Sequence, residues 1–204
     1  MTHSRFSFAL RLAASLSALS LAACGGDAVN AADTEPADAA SSYGFSPFVD
    51  AEGAISRPTG FKTSADWIHL GTWAVVNENG EGNGFHNVYT TRAAADDYRA
   101  NGAFPDGAPL VKEVRGAAAE QLTTGRAHWA TDKQVWFVMI KDAEGRFPDN
   151  ALWGDGWGWA LFNAEDPAEQ VATDYKSDCL GCHIPAQQTD WVYTRAYSAV
   201  LEGK

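Results

Sequence analysis

Cys179-Leu-Gly-Cys182-His183 is the segment of this chain whose residue types and spacing can do chemistry. Two thiols two residues apart, followed at once by an imidazole, suit covalent attachment of a haem. Each sulfur adds to one vinyl group, and the adjacent His becomes the proximal ligand to iron. Two other chemistries use paired cysteines. Structural zinc takes four ligands, and with 3 Cys in the whole chain no second pair completes such a site. A redox dithiol of the thioredoxin kind sits at the start of a helix in a βαβ unit, and no such pattern surrounds Cys179. One haem c per chain, held by Cys179, Cys182 and His183, is therefore expected.

The second axial position of the iron decides what such a site does. A small electron carrier places Met there, well downstream of the attachment motif. No Met follows His183, and of the 2 Met in the chain only Met139 lies outside the N-terminal leader, within an apolar run where packing is its expected role. A four-helix cytochrome with a C-terminal haem site conflicts with the strand patterns described below. Ligation by a second His (His69, His86 or His128) and an open iron position both remain. An open position means binding or transforming a small molecule.

The cysteines also divide by compartment. Residues 1–23 carry basic side chains and no acid, then a short apolar run ending Leu21-Ala22-Ala23-Cys24-Gly25, the layout of a secretory leader. The ending resembles a bacterial lipobox, in which the Cys, here Cys24, is lipidated; the alternative is ordinary cleavage with Cys24 incidental. Acyl chains would anchor the protein to a membrane surface without spanning it. Gly25 rather than Asp after the Cys resembles the sorting signal of outer-membrane lipoproteins, which implies the periplasm of a Gram-negative bacterium as the expected location. Residues 24–43 are rich in Ala, Asp and Ser without a periodic apolar face and read as an acidic tether. Residues 44–204 are left for one haem domain.

The chain carries 15 basic and 26 acidic side chains, a net charge of -11. Without residues 1–23, which hold two Arg and no acid, the balance is 13 against 26, or -13. Such acidity argues against nucleic acid as a partner and suits a basic electron-acceptor cytochrome. Hydrophobic residues at 46% against 20% charged are enough to bury a core, which excludes wholesale disorder.

The elements that must position the motif are mostly strands. Trp67–Val76 is β-branched and aromatic and closes on a Gly/Asn turn over 77–82; Phe85–Tyr89 is a second short strand. Thr91 begins a run of helix formers that Gly102 stops. Leu110–Arg115 predicts a strand with Val111, Glu113 and Arg115 on one face and Leu110, Lys112 and Val114 on the other. Val135–Ile140, apolar on both faces, predicts a central strand. Trp153–Phe162 alternates Gly or Ala with large rings, which lets a flat body or a backbone approach one face closely. From Pro167 onward short helices are expected, with Asp190 capping one over 191–201. The class is α+β, an antiparallel sheet with flanking short helices and the haem site near the C-terminus.

Phe104-Pro-Asp-Gly107, Leu110-Val-Lys112-Glu113, Val138-Met-Ile-Lys141-Asp142, Gly156-Trp-Gly158, Cys179–His183 and Thr189-Asp190-Trp-Val-Tyr-Thr194-Arg195 occur in this order. Together they resemble the cytochrome P-460 family, which includes the cytochromes c′-beta, over about residues 61–200. The resemblance implies an antiparallel sheet, a homodimer, and a five-coordinate haem c that oxidises hydroxylamine or binds nitric oxide and similar gases. It also implies a Lys cross-linked to the macrocycle, at the position of Lys112. A Lys facing Leu110 and Val114 is easier to bury once its amine is neutral or consumed; on an edge strand it would instead reach for water. A carboxylate shortly before the haem motif is implied as base, and Asp174 is the nearest match. His86 adds a second proton-handling group. Phe85, Phe147, Trp157 and Trp159 are pocket-wall candidates.

Two functions of different class follow. As an enzyme, the protein oxidises hydroxylamine to nitrous or nitric oxide and passes electrons to a periplasmic cytochrome. As a gas-binding protein it holds nitric oxide without turnover, in an apolar distal pocket and without the cross-link.

Overall fold

β1 (Trp67–Val75), β2 (Gly84–Thr91), β3 (Pro109–Leu122), β4 (Gly125–Lys141), β5 (Trp153–Gly154) and β6 (Trp157–Asn163) form one sheet in the order β1-β2-β3-β4-β6-β5. Every pairing is antiparallel. The computed structural model describes residues 45–76 and 82–202, all within one compact unit. The leader over 1–23, the tether over 24–43, Cys24 and most of the turn over 77–82 lie outside the described residues.

The period of two along each strand divides the core between the two faces of the sheet. Leu70, Val88, Leu110, Met139, Trp157 and Trp159 pack on one face against the C-terminal segment and α1 (Arg92–Asn101). Val111, Trp136, Val138, Ile140 and Phe162 pack on the other, with Ile55, Phe61 and Phe48 from the segment before β1. β4 is buried on both sides, as its apolar run predicts. β3 lies between β2 and β4, so Lys112 is not on an edge strand. Its neighbour Glu113 points the other way, 3% exposed, and accepts hydrogen bonds from Lys62 and Gln134.

α1 has the predicted ends. The Thr91 hydroxyl oxygen accepts from the Ala94 amide, and Gly102 takes φ 76° at the C-terminus, a conformation that costs a glycine little. The β3–β4 hairpin runs longer than the apolar pattern predicts. Beyond a bulge between Arg115 and Ala117 its arms continue as Ala, Gln and Glu paired across to Gly125–Ala130. That stretch lacks the alternation that marks a half-buried strand, and its backbone ladder alone extends it.

The alternation of small residues with rings in β5 and β6 admits the protein's own rings. A Cβ on Gly158 would lie 2.6 Å from the Trp153 ring, and one on Gly154 would fall on the Tyr175 ring.

The C-terminal segment is a run of short helical turns: Lys176–Leu180, Gly181–His183, Ile184–Thr189, Thr194–Tyr197 and Ser198–Leu201. The expected helix over 191–201 capped by Asp190 does not form. Asp190 and Trp191 have φ of 57° and 64°, and the Val192 amide donates to the Thr189 carbonyl at 3.2 Å, closing a turn with two left-handed central residues. A Trp held there costs about 1–3 kcal/mol. Both Asp190 carboxylate oxygens are already engaged by distant partners, Lys141 Nζ at 2.5 Å and the Phe104 amide at 3.1 Å. With its backbone left-handed and its carboxylate drawn to these distant partners, Asp190 caps no helix.

Candidate haem site

Two adjoining cavities, of about 340 and 480 Å3, lie between the sheet and the C-terminal turns. They share His86, Lys112, Phe137, Met139, Cys182 and His183 as lining. The first is walled further by Val88, Leu110, Trp73 and Tyr193, the second by Cys179, Trp159, Val135 and Asp178. An enclosure of this size with mostly apolar walls and a few converging polar groups is the form of a cofactor pocket.

His183 is placed by three contacts. Its Nδ1–H donates to the Trp191 carbonyl at 2.7 Å, because a carbonyl can only accept. The ring stands edge-on to Trp159, centroids 4.9 Å apart, and Tyr193 closes the other side at 6.1 Å. Nε2 makes no hydrogen bond to a described residue and is left as the free lone pair of a neutral imidazole, the form that binds a metal. Burial pushes the His183 pKa down to about 4, with the nearby Lys112 adding to the shift and the Trp191 carbonyl opposing it. Below its ordinary value of 6.5 an unfolded chain takes up a proton here that the folded haem-free protein refuses until about pH 4. Haem-free protein is therefore expected to lose roughly 3 kcal/mol as pH falls through that window. Urea unfolding at pH 7 and pH 4.5 reads the loss, and an identical loss in His183→Gln would refute its origin.

Cys179 is buried and Cys182 exposed, and both thiols are free. Burial raises the Cys179 thiol to about 11, so the sulfur is held protonated. A protonated thiol is the form that adds across a vinyl group without loss of atoms. The donor set fits a c-type haem: two free thiols and an unpartnered imidazole nitrogen on one cavity.

Lys112 faces the same space, and the strand alternation predicted from its neighbours holds. Its Nζ lies 4.0 Å over the Phe137 ring, the residue directly across on β4. Among the described residues it makes no hydrogen bond or ion pair. Its exposed surface belongs to the cavity, and burial lowers its pKa, an effect the two cysteines oppose. His86 lies beside it, with Nε2–H donating to the Gly82 carbonyl at 2.8 Å. Burial is the main cause of its lowered pKa, so the ring is neutral at pH 7. His69 is exposed and bonded to Thr72, and neither it nor His128 lines the cavities. Of the three His considered as second ligands, only His86 does.

Asp174 does not line the cavities. Its carboxylate accepts from the Lys176 amide at 2.8 Å and so starts the turn over 176–180, because the first amides of that turn have no other acceptor. The acid that reaches the cavity is Asp178, whose oxygens accept from the Thr173 and Asp174 amides and the Ser177 hydroxyl, which hold it down to about 2. Of the aromatic wall candidates, Trp159 is in place. Phe85 lies on the opposite sheet face from His86, Phe147 packs under Trp153, and Trp157 is sealed in the core beside Phe104. Phe137, Tyr193 and the Trp191 carbonyl went unrecognised in the sequence. Phe137 had a signal: it shares its strand face with Met139.

A family model described as Cytochrome P460 matches residues 58–194. No curated protein matches the chain significantly. The matched stretch contains every strand of the described residues, the wall with Lys112, and the Cys179–His183 motif, and the chain accordingly belongs to the cytochrome P460 family, whose members are haem-iron cytochromes.

Proposed function

We propose that this cytochrome is an enzyme that oxidises hydroxylamine, to nitrous oxide or nitric oxide, at a haem c held by Cys179 and Cys182 with His183 on iron. The observation that carries this is Lys112: an amine enclosed by Leu110, Phe137 and Val88 with no counter-ion among the described residues. A free ammonium there is costly, and an amine bonded covalently to a macrocycle is not.

When bound, the haem supplies an iron that can hold the nitrogen of a small substrate and carry its electrons away. His183 holds that iron through Nε2, and the Trp191 carbonyl fixes its tautomer. Cys179 and Cys182 would hold the macrocycle covalently in the cavity that Trp159 and Phe137 also line. Phe137, Leu110 and Met139 would present apolar side chains to the bound group and limit water beside it. His86, neutral with Nε2–H given to Gly82, has an Nδ1 with no hydrogen bond to a described residue, which could accept a proton released by the substrate. An acidic protein tethered by lipid at Cys24 in the periplasm, working as a homodimer, would hand electrons to a basic acceptor cytochrome.

The placement of Asp174 favours a second function. With the implied carboxylate serving as a helix cap and the walls largely apolar, nitric-oxide binding without turnover would use the same cavity. Digestion of the haem-loaded protein after treatment with peroxide as oxidant distinguishes the two. A C–N bond replaces one N–H and one macrocycle C–H, so a Lys112 peptide joined to the Cys179–His183 haem peptide is expected at the sum of their masses less two hydrogens. Recovery of the free Lys112 peptide in full yield would remove the support for an enzyme and leave the gas binder.

A further inference from the structure

Lys141 and Asp190 lie in motifs with other residues that line the cavities, but neither side chain lines them or enters the proposed chemistry. They form an ion pair at 2.5 Å with each side chain 13% exposed, too enclosed for solvent to screen it strongly. The pair sits next to the turn whose carbonyl holds His183. Asp190 and Trp191 are its two left-handed residues, and the Trp191 carbonyl that accepts from His183 Nδ1 is aimed by that backbone. Turns of this shape ordinarily use Asn and Gly, so Trp191 keeps the conformation only because its surroundings over-determine it. Asp190 supplies that restraint through both oxygens, one to Lys141 and one to the Phe104 amide.

Lys141 is fixed in turn. It ends β4, its amide and carbonyl are bonded to Ala108 and Gly107, and its Nζ lies 4.9 Å over the Trp157 ring. A rigid central strand thus reaches the imidazole through one ion pair, one strained turn and one carbonyl. We propose that Lys141 and Asp190 are positioning residues that set the strength of the Trp191–His183 hydrogen bond and thereby the electron donation of His183 to iron. A firmly held acceptor on Nδ1 makes the imidazole a more basic ligand, which favours ferric over ferrous iron. The inference rests on His183 as the haem ligand and not on hydroxylamine as the substrate.

The test uses haem-loaded Lys141→Met/Asp190→Asn, which removes both charges and leaves neither orphaned. The readouts are the iron–histidine stretching band of the ferrous protein and the midpoint potential. A lower band frequency and a higher potential are expected, with both thioethers intact, and Lys141→Arg with Asp190 unchanged should keep both readouts at the wild-type values. A buried pair that serves stability alone can be replaced by neutral side chains without moving either; unchanged readouts overturn the proposal. If the double variant takes up no haem, Asp190→Asn alone is measured, since Asn tolerates the left-handed region and keeps an oxygen for the Phe104 amide. Loss of folding in both makes the pair a framework element and overturns the positioning role. A wild-type protein without an iron–histidine band would instead overturn the assignment of His183.

Discussion

If the protein oxidises hydroxylamine as proposed, Lys112→Met is expected to lower that activity by about a hundredfold or more, the range lost when a group acting at the reacting centre is removed, without preventing haem uptake. Met nearly matches the lysine stem in volume and suits the wall of Leu110, Val88 and Phe137, so the fold should survive. The haem-free protein should in fact gain about 1–2 kcal/mol, because an ammonium with no counter-ion among the described residues leaves an apolar cavity. The sign of the pH dependence follows from the lowered folded-state pKa. Between that value and the ordinary 10.5 the unfolded chain binds the extra proton, so wild-type haem-free stability rises with pH across that window, and the variant should lack that rise. Steady-state turnover with an added oxidant and urea unfolding from pH 7 to 10 measure both. Full turnover in the variant would exclude a role for the amine in the reaction.

Trp159→Ala should have the largest effect on stability. The indole is 2% exposed, lies nearly parallel to Tyr175 with centroids 6.1 Å apart, and donates Nε1–H to the Gly154 carbonyl at 3.3 Å. It also forms the wall against which His183 stands. Truncation leaves a void that joins the second cavity, and buried Trp to Ala costs about 3–5 kcal/mol. The melting temperature of the haem-loaded protein should fall by ~10 °C or more, and the imidazole loses one of its two ring neighbours. A fall of only a degree or two would mean that the bound cofactor, not the ring, carries the packing there.

Local chemistry was legible in the sequence. Thr91 and Gly102 mark their helix because capping and positive φ are properties of single residues. Cys179, Cys182 and His183 converge because adjacency in the chain ensures it. Lys112 could be assigned to a face because strand alternation has no freedom once Leu110 and Val114 are placed. Asp190 caps no helix and Asp174 is engaged away from the cavities for a shared reason: a carboxylate binds whichever amide or cation the fold brings to it. For Asp190 those partners are Phe104 and Lys141, 86 and 49 residues away in the chain. For Asp174 the partner is local, but nothing in the sequence distinguishes a turn that begins at Lys176 from a carboxylate turned into a pocket. Phe85 and Phe147 were placed on the wrong wall because an aromatic residue does not declare which of two cores it fills.

The order of these elements along the chain bears on how the cofactor site is assembled. The last described strand ends at Asn163, and the turns that carry Cys179 and Cys182 begin at Lys176. A chain synthesised from its N-terminus can complete the wall bearing Lys112 before Cys179 and Cys182 are available. The closing segment consists of turns of three to six residues, none long enough to persist alone. It therefore docks last and opens first, and amides over 176–201 should exchange with solvent through local openings while those of β3 and β4 wait for global unfolding. A macrocycle bonded on one side to that segment and on the other to Lys112 would tie the latest-formed part of the molecule to the earliest, so that cofactor attachment also completes folding.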